Sequence, residues 1–348
     1  MTAAIDRRGL LMGAASLMLA TALARAQVSP PPLAQDVALL GAPDPLLEAK
    51  IAALATEASL RIGFAAVDLD KGRTAFVRGG ELFPMQGVAQ LPLAVAFMQL
   101  AQRGKTSLDK RVRLTAADIA PGRSPLAARL RSRPTTFTAR QLVEHMLLNA
   151  DATAADALMM LAGGPSKIQD AIKSFEIEGL RIDRFERELQ PEAVGLTPHA
   201  ALADPARFEE ALAALGETKQ REAIDRYLRD PRDTASPRAI ATLFFKLLSG
   251  HLVQPRHAMF VLDLMRRTKT GEDRLKSGML PGWTFAHRGG MSRTIQGATA
   301  VYNDAGLATT KKGAKIAIVL FIENATLPPP ELARFHRATA RAVLQAWG

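Results

Sequence analysis

Side chains able to perform covalent chemistry are scarce in this chain. It has no cysteine, which excludes thiolate catalysis, disulfides and thiolate metal sites. One serine precedes a lysine by three residues, at Ser107 and Lys110, a spacing in which an amine can activate a hydroxyl for attack on a carbonyl. This pair follows Gly104 in a polar, turn-rich stretch, with no helix start that would place it in a cleft. We therefore predict a surface loop here and not a nucleophile.

The histidines do not form a metal-binding pattern. None of the six has ligand spacing or a nearby set of acidic partners, so the sequence predicts no metal and no cofactor. His287 and Arg288 are adjacent in a predicted strand, where successive side chains point to opposite faces. We therefore expect only one of the two to reach a cleft on a given side of the sheet.

The elements that would position a site come from both ends of the chain. Alternating apolar residues predict two early strands and three late ones. The predicted strands are 61–69, 74–78, 283–288, 295–303 and 315–323. Residues 105–265 show mostly helical spacing. This order predicts an α+β fold, in which both ends of the chain build one antiparallel sheet and the middle of the chain forms an all-helical insertion.

The helices show clear start signals. Residues 88–103 are apolar on nearly all sides, which indicates a helix buried inside the protein. Thr138 to Gln141 has the spacing of a capping box that opens another helix. Further helices are predicted at 44–57, 153–161, 237–248 and 331–346.

The amino terminus and the charge balance restrict the location and the partners. Residues 1–26 have a charged start at Arg7-Arg8, an apolar run and a small-x-small end, which predicts a cleaved export signal. An uncleaved anchor is the alternative, and the paired arginines leave twin-arginine export open. We expect a periplasmic or extracellular protein without stable membrane insertion. The net charge is +11, but the basic residues are scattered and aromatic residues amount to 5%, which argues against nucleic acid as a partner.

Four segments, in order, resemble the motifs of class A β-lactamases. Each segment keeps the residues that surround one family motif. Together they extend the resemblance over nearly the whole chain after the signal. These segments are Glu81–Gln90, Asn149–Asp156, Asp183–Gln190 and Thr270–Gly290. The resemblance implies a five-stranded antiparallel sheet flanked by terminal helices and joined to an all-helical domain. The sheet domain is made of 27–87 and 266–348, the helical domain is 88–265, and a cleft lies between them.

The catalytic positions of the family are occupied here by residues that cannot do its chemistry. By resemblance, the nucleophilic serine position is Gly87 and the lysine position is Gln90. Glycine has no atom that can attack a carbonyl, and a glutamine amide is not a base at neutral pH. The Ser-Asp-Asn positions are Ala150, Asp151 and Ala152, so a hydroxyl and a substrate-holding amide are also missing.

The Lys-Thr-Gly positions are Arg288, Gly289 and Gly290, which keep the positive charge and lose the hydroxyl. Arg288 is expected to bind an anion or, in preference, to pair with Asp151 or Glu186. The resemblance also implies an oxyanion hole formed by the backbone amides of Gly87 and Met291. Backbone amides do not depend on side-chain identity.

Glu186 falls on the glutamate that activates the deacylating water in the family, and Gln190 replaces an asparagine. Arg184 and Asp233 resemble the charge pair that closes this loop. The loop is extended here over 187–232, with an apparently helical insertion at 191–228. We expect Glu186 to be structural, with activation of water as the alternative.

Three functional hypotheses follow. The first is an exported pseudoenzyme that binds a β-lactam, a peptidoglycan-derived compound or another acyl ligand in the old cleft. The second is a hydrolase that uses water activated by Glu186. The third is an interaction protein that works through the 191–228 insertion. The oligomeric state cannot be read from the sequence.

Overall fold

The computed structural model describes residues 41–348, so the predicted export signal lies outside the described residues. Between residues 41 and 348, none of the helices is both long enough and apolar enough to cross a bilayer. The division into a sheet domain and a helical domain stays a prediction.

Five long strands form one antiparallel sheet, in agreement with the predicted fold class. The described strands are β1 (Ala42–Pro43), β2 (Arg61–Asp68), β3 (Arg73–Val77), β4 (Phe83–Pro84), β5 (Arg111–Leu114), β6 (Thr135–Thr138), β7 (Thr234–Ala235), β8 (Thr284–Met291), β9 (Thr294–Ile295), β10 (Ala298–Thr309) and β11 (Lys315–Ala325). The sheet has the order β3-β2-β11-β10-β8. Two-residue strands extend it beyond the prediction, because β1 pairs in parallel with β3 and β9 pairs with β10.

Both faces of this sheet are covered, which explains the nearly continuous apolar sequence of its central strands. In β2, Ala65 and Val67 belong to the apolar core shared with the helical region. Phe64 and Ala66 point to the other face and pack in a second core with the terminal helices. Alternate burial on two faces is what a period of two produces when helices cover both sides.

The helices agree closely with the predicted ones. They are α1 (Pro45–Glu57), α2 (Gln90–Gln102), α3 (Leu126–Ser132), α4 (Ala139–Asn149), α5 (Ala152–Ala162), α6 (Pro165–Lys173), α7 (Glu186–Glu192), α8 (Pro205–Leu215), α9 (Glu217–Arg229), α10 (Pro237–Leu248), α11 (Pro255–Arg267) and α12 (Pro329–Trp347). The predicted capping box opens α4, with both of its hydrogen bonds formed between Thr138 and Gln141. Helix α2 is buried along nearly its whole length and follows a 3₁₀ turn at Gln86–Ala89.

The extended loop is largely helical, as predicted. Helices α8 and α9 occupy most of the insertion. Their apolar faces form a small core of their own that also takes in residues of β9 and β10, such as Ile295 and Val301. The insertion is therefore packed onto the edge of the sheet that carries β8.

Candidate functional site

A cavity of about 520 Å³ lies where the 3₁₀ turn before α2, the beginning of α5, helix α7 and strand β8 meet. All but one of the predicted site residues line it. They are Gly87, Gln90, Ala150, Ala152, Glu186, Gln190, Arg288, Gly289, Gly290 and Met291. Residues that are about 200 positions apart in the chain thus surround one space.

Asp151 is the exception, because its side chain points into the protein. It is fully buried and caps α5 by accepting from the amide of Ala154 at 2.9 Å. It also accepts from the amide of Leu126 at 2.7 Å and from the Ser124 hydroxyl at 3.2 Å. This carboxylate holds two segments together and is not available to a ligand.

The space that a side chain at Gly87 would need is occupied by backbone. A Cβ atom added at Gly87 would lie 2.6 Å from the carbonyl oxygen of Gly289 in β8. In the reverse direction, a Cβ at Gly290 would lie 2.4 Å from the carbonyl oxygen of Met85. The turn and the strand therefore approach each other more closely than any residue with a side chain would permit. Gln90, one turn further on, is buried, and its Oε1 has no partner among the described residues.

Glu186 begins α7, and its side chain is enclosed. Gln190 lies four residues later on the same helical face, and its Nε2 donates to Glu186 Oε2 at 2.8 Å. Burial raises the pKa of Glu186 from 4.5 to about 7, and the nearby carboxylates of Asp156 and Asp233 act in the same direction. A carboxyl group with a pKa near neutrality can exchange a proton at physiological pH.

The loop that carries Glu186 is closed by a buried ion pair. Arg184 Nε contacts Asp233 Oδ2 at 2.6 Å, as the resemblance implied. Arg184 also contacts Glu192 at 2.6 Å and Asp230 at 3.2 Å. The long insertion lies between Glu192 and Asp230 in the chain. Because both of these residues contact Arg184, the two ends of the insertion are held together, and Glu186 stays in the cavity wall.

The insertion also reaches the site, which the sequence analysis did not detect. Gln190 Nε2 donates to Gln86 Oε1 at 3.0 Å, and Gln86 Nε2 donates to the hydroxyl of Tyr227 at 2.7 Å. Tyr227 lies in α9 and is buried. The helical spacing of Ala223, Ile224 and Tyr227 signals a buried face, but it does not reveal what that face contacts.

The predicted ion pair of Arg288 is wrong. Within residues 41–348 this guanidinium contacts no carboxylate, and its Nη1 donates to the hydroxyl of Thr270 at 2.8 Å. Asp151 caps α5, and Glu186 accepts a hydrogen bond from Gln190. Burial lowers the pKa of Arg288 to about 10, with the positive charges of Arg274 and Arg123 adding to the effect.

Four basic residues that the sequence analysis did not connect with the site also line the cavity. They are Arg123, Lys269, Arg274 and Arg293. Arg274 Nη1 donates to the carbonyl oxygens of Asn303 at 2.7 Å and Gly290 at 3.2 Å. Within the described part of the chain, Arg293 alone among these four has a carboxylate partner, Glu209 in α8, at 2.5 Å. Among the described residues, Glu186 is the one acidic residue in the lining of this cavity.

The remaining candidates lie elsewhere. His287 Nδ1 contacts Asp304 Oδ1 at 2.9 Å inside the protein, an acidic partner that sequence spacing does not show. Ser107 and Lys110 are exposed in a turn, as predicted. Among the described residues, no three histidine, aspartate or glutamate side chains are grouped so that they could hold a metal ion.

Comparison with known proteins gives consistent matches. The "Beta-lactamase enzyme family" matches residues 46–347. A β-lactamase of Streptomyces cellulosae is 26% identical over 328 residues, which cover 94% of this chain and 91% of that protein. The crystal structure of a β-lactamase from Chitinophaga pinensis has a TM-score of 0.70 at 26% identity and covers 87% of this chain and 100% of its own. An ancestral class A β-lactamase also has a TM-score of 0.70, at 25% identity, covering 86% and 100% of the two chains.

Proposed function

The chain belongs to the beta-lactamase enzyme family, and on that premise we propose that it is an exported pseudoenzyme that binds its ligand without forming a covalent bond. The ligand class is an anionic acyl compound, such as a β-lactam or a fragment of peptidoglycan. The export signal predicted at residues 1–26 supports a location outside the cytoplasm.

The observation that carries the proposal is the closed space at Gly87. Acyl transfer in this family needs a hydroxyl beside a base, and these positions hold a glycine and the amide of Gln90. The Gly289 carbonyl oxygen, 2.6 Å from the place of a Cβ, leaves no room for a serine unless β8 moves. The reactive side chains are therefore absent, and the backbone around Gly87 has no space to accommodate one of them.

The cavity itself supports ligand binding. Its volume of about 520 Å³ lies within the range of small-molecule sites. Arg288 is buried in its wall and has no carboxylate partner among the described residues. A carboxylate or another anionic group of a ligand would supply that partner.

Intact-mass spectrometry tests the proposal directly. The purified protein is incubated with benzylpenicillin at neutral pH. The control is a class A β-lactamase variant that still acylates but cannot deacylate. We expect an adduct on the control and none on this protein. A stoichiometric adduct of the mass of the drug on any residue of this chain would refute the proposal.

A second candidate function is supported by Glu186. A carboxyl group with a pKa of about 7 that lines the cavity could accept a proton from a water molecule attacking a ligand carbonyl directly. Turnover of a chromogenic cephalosporin would then rise as pH increases through 7 and disappear in Glu186→Gln. Turnover that is unchanged in that variant would exclude this role.

A further inference from the structure

The cavity contains more positive charge than one carboxylate ligand can compensate. Arg123, Lys269, Arg274 and Arg288 all line it. Arg274 lies over the ring of Tyr302, and none of the four has a carboxylate partner within residues 41–348. The only carboxylate that residues 41–348 contribute to the lining is Glu186, which is already hydrogen-bonded to Gln190. Several unpaired cations facing one acidic group indicate a ligand with several negative charges.

Two of these arginines are built into the wall of the cavity. Arg288 is 1% exposed and Arg274 is 9% exposed. Each uses Nη1 for hydrogen bonds to the protein, while each Nε is buried and has no partner among the described residues. Because protein covers both Nε atoms, they do not reach the cavity. Nη2 makes no hydrogen bond within the described residues in either arginine, so it is the donor left for an oxygen of a phosphoryl group or a carboxylate.

The glycine at the former threonine position accommodates this arrangement. A Cβ atom at Gly289 would lie 2.5 Å from Nη1 of Arg274. With a side chain at residue 289, the guanidinium of Arg274 would have to move from this position. The glycine that removes the hydroxyl at residue 289 also leaves space for the guanidinium of Arg274.

We propose that the cavity binds a compact, multiply charged oxyanion, and specifically the phosphoryl or pyrophosphoryl end of a larger ligand. This inference rests on the proposed non-covalent function and specifies the chemical class of its ligand. Arg274 and Arg288 each donate from Nη2 to a phosphoryl oxygen. Arg123 and Lys269 compensate the remaining charge.

Calorimetric titration at constant ionic strength tests the proposal. The ligands are pyrophosphate, inorganic phosphate, citrate and acetate, each added to the full chain. We expect pyrophosphate to bind at least tenfold more tightly than acetate and more tightly than citrate. Equal affinities for pyrophosphate and acetate would overturn the proposal, and tight binding of citrate with weak binding of pyrophosphate would overturn the phosphoryl assignment.

Variants locate the binding site. Arg288→Gln and Lys269→Gln should each weaken pyrophosphate binding, by tenfold or more for the buried arginine and by about threefold for the exposed lysine. Lys269 is exposed, so its variant reports on binding even if the arginine variant fails to fold. Arg334→Gln is the matched control, because Arg334 pairs with Glu331 on α12 and does not line the cavity. Unchanged affinity in Lys269→Gln and in a folded Arg288→Gln would overturn the proposal.

The two proposals fail separately. A penicillin adduct together with selective pyrophosphate binding would refute only the pseudoenzyme. Absence of an adduct together with equal binding of all four anions would refute only the phosphoryl ligand.

Discussion

Substitution of Gly87 by alanine tests whether there is space for a side chain at this position. The variant adds one Cβ atom and nothing else, and that atom would lie 2.6 Å from the Gly289 carbonyl oxygen. Ordinary contacts of a Cβ atom are 3.4–4 Å, and the obstructing atom belongs to the backbone of β8. The strand or the turn must therefore shift by several tenths of an ångström.

The magnitude follows from two opposing effects. Overpacking a well-filled site costs about 1–3 kcal/mol. Replacing glycine by alanine stabilises the folded state by roughly 0.4–1 kcal/mol, because alanine lowers the conformational entropy of the unfolded chain. This gain applies here because residue 87 lies in a helical turn without positive φ. We expect a net loss of about 1–2 kcal/mol in the free energy of unfolding. Without the clash, the same substitution would stabilise the protein, so the sign of the change is diagnostic.

Urea unfolding followed by circular dichroism measures this change as a lower midpoint at constant slope. Ala89→Ser is the control, since Ala89 lies in the same turn and already has a Cβ atom. A Gly87→Ala variant that is as stable as the wild type would refute the reasoning. The double variant Gly87→Ser/Gln90→Lys extends the test, because we expect it to remain free of a penicillin adduct although both reactive groups are restored. Rapid acylation of that variant would show that the site is not closed.

Three further predictions concern the loop and its contacts. The carboxyl of Glu186 has a pKa of about 7 in the folded protein and an ordinary value of 4.5, so the folded state holds the proton more tightly. Its contribution to stability is therefore complete below pH 4.5 and is lost as pH rises to about 7, by roughly 3 kcal/mol at most at about 1.4 kcal/mol per pKa unit. The stability of Glu186→Gln relative to the wild type should increase over this range, and the other titrating groups cancel in the difference; a difference that stays constant between pH 4.5 and 7.5 would contradict the assignment. Arg184→Met should lower the free energy of unfolding by about 3–5 kcal/mol in urea titrations, because it leaves Asp233 buried without its partner; a loss below 1 kcal/mol would show that the pair does not hold the loop. Tyr227→Phe should cost about 1–2 kcal/mol by the same measurement, since Gln86 loses its acceptor inside the protein; a neutral effect would mean that the insertion is not held to the site by this bond.

The central strands and the site residues were predictable for different reasons. Strands β2 and β11 agree with the predicted 61–69 and 315–323 to within two residues, because their apolar sequence is nearly unbroken. Strands β8 and β10 extend beyond the predictions to Met291 and Thr309. The extensions contain glycines, which have low strand propensity and are ordered here by pairing between the two strands.

The outcome at Arg288 shows where reasoning from neighbouring charges fails. The sequence places acidic residues at 151 and 186, and an ion pair with one of them was the simplest prediction. Helix capping by Asp151 and the hydrogen bond of Glu186 with Gln190 remove both partners. Which of several competing partners a side chain takes depends on distances that sequence spacing does not contain.

The sequence by itself determined the fold class, the order of the elements and the residue types at the positions that match the family motifs, because these follow from residue types and from periods of two and 3.6 residues. Only the tertiary structure decided that the backbone of β8 occupies the space beside Gly87 and that Tyr227 reaches Gln86. It also decided that four basic residues without a carboxylate partner among the described residues line one cavity. Such contacts join segments that are 100 to 200 residues apart. Their geometry is set by how helices and sheet pack together, to tenths of an ångström, and local sequence patterns do not encode distances of that kind.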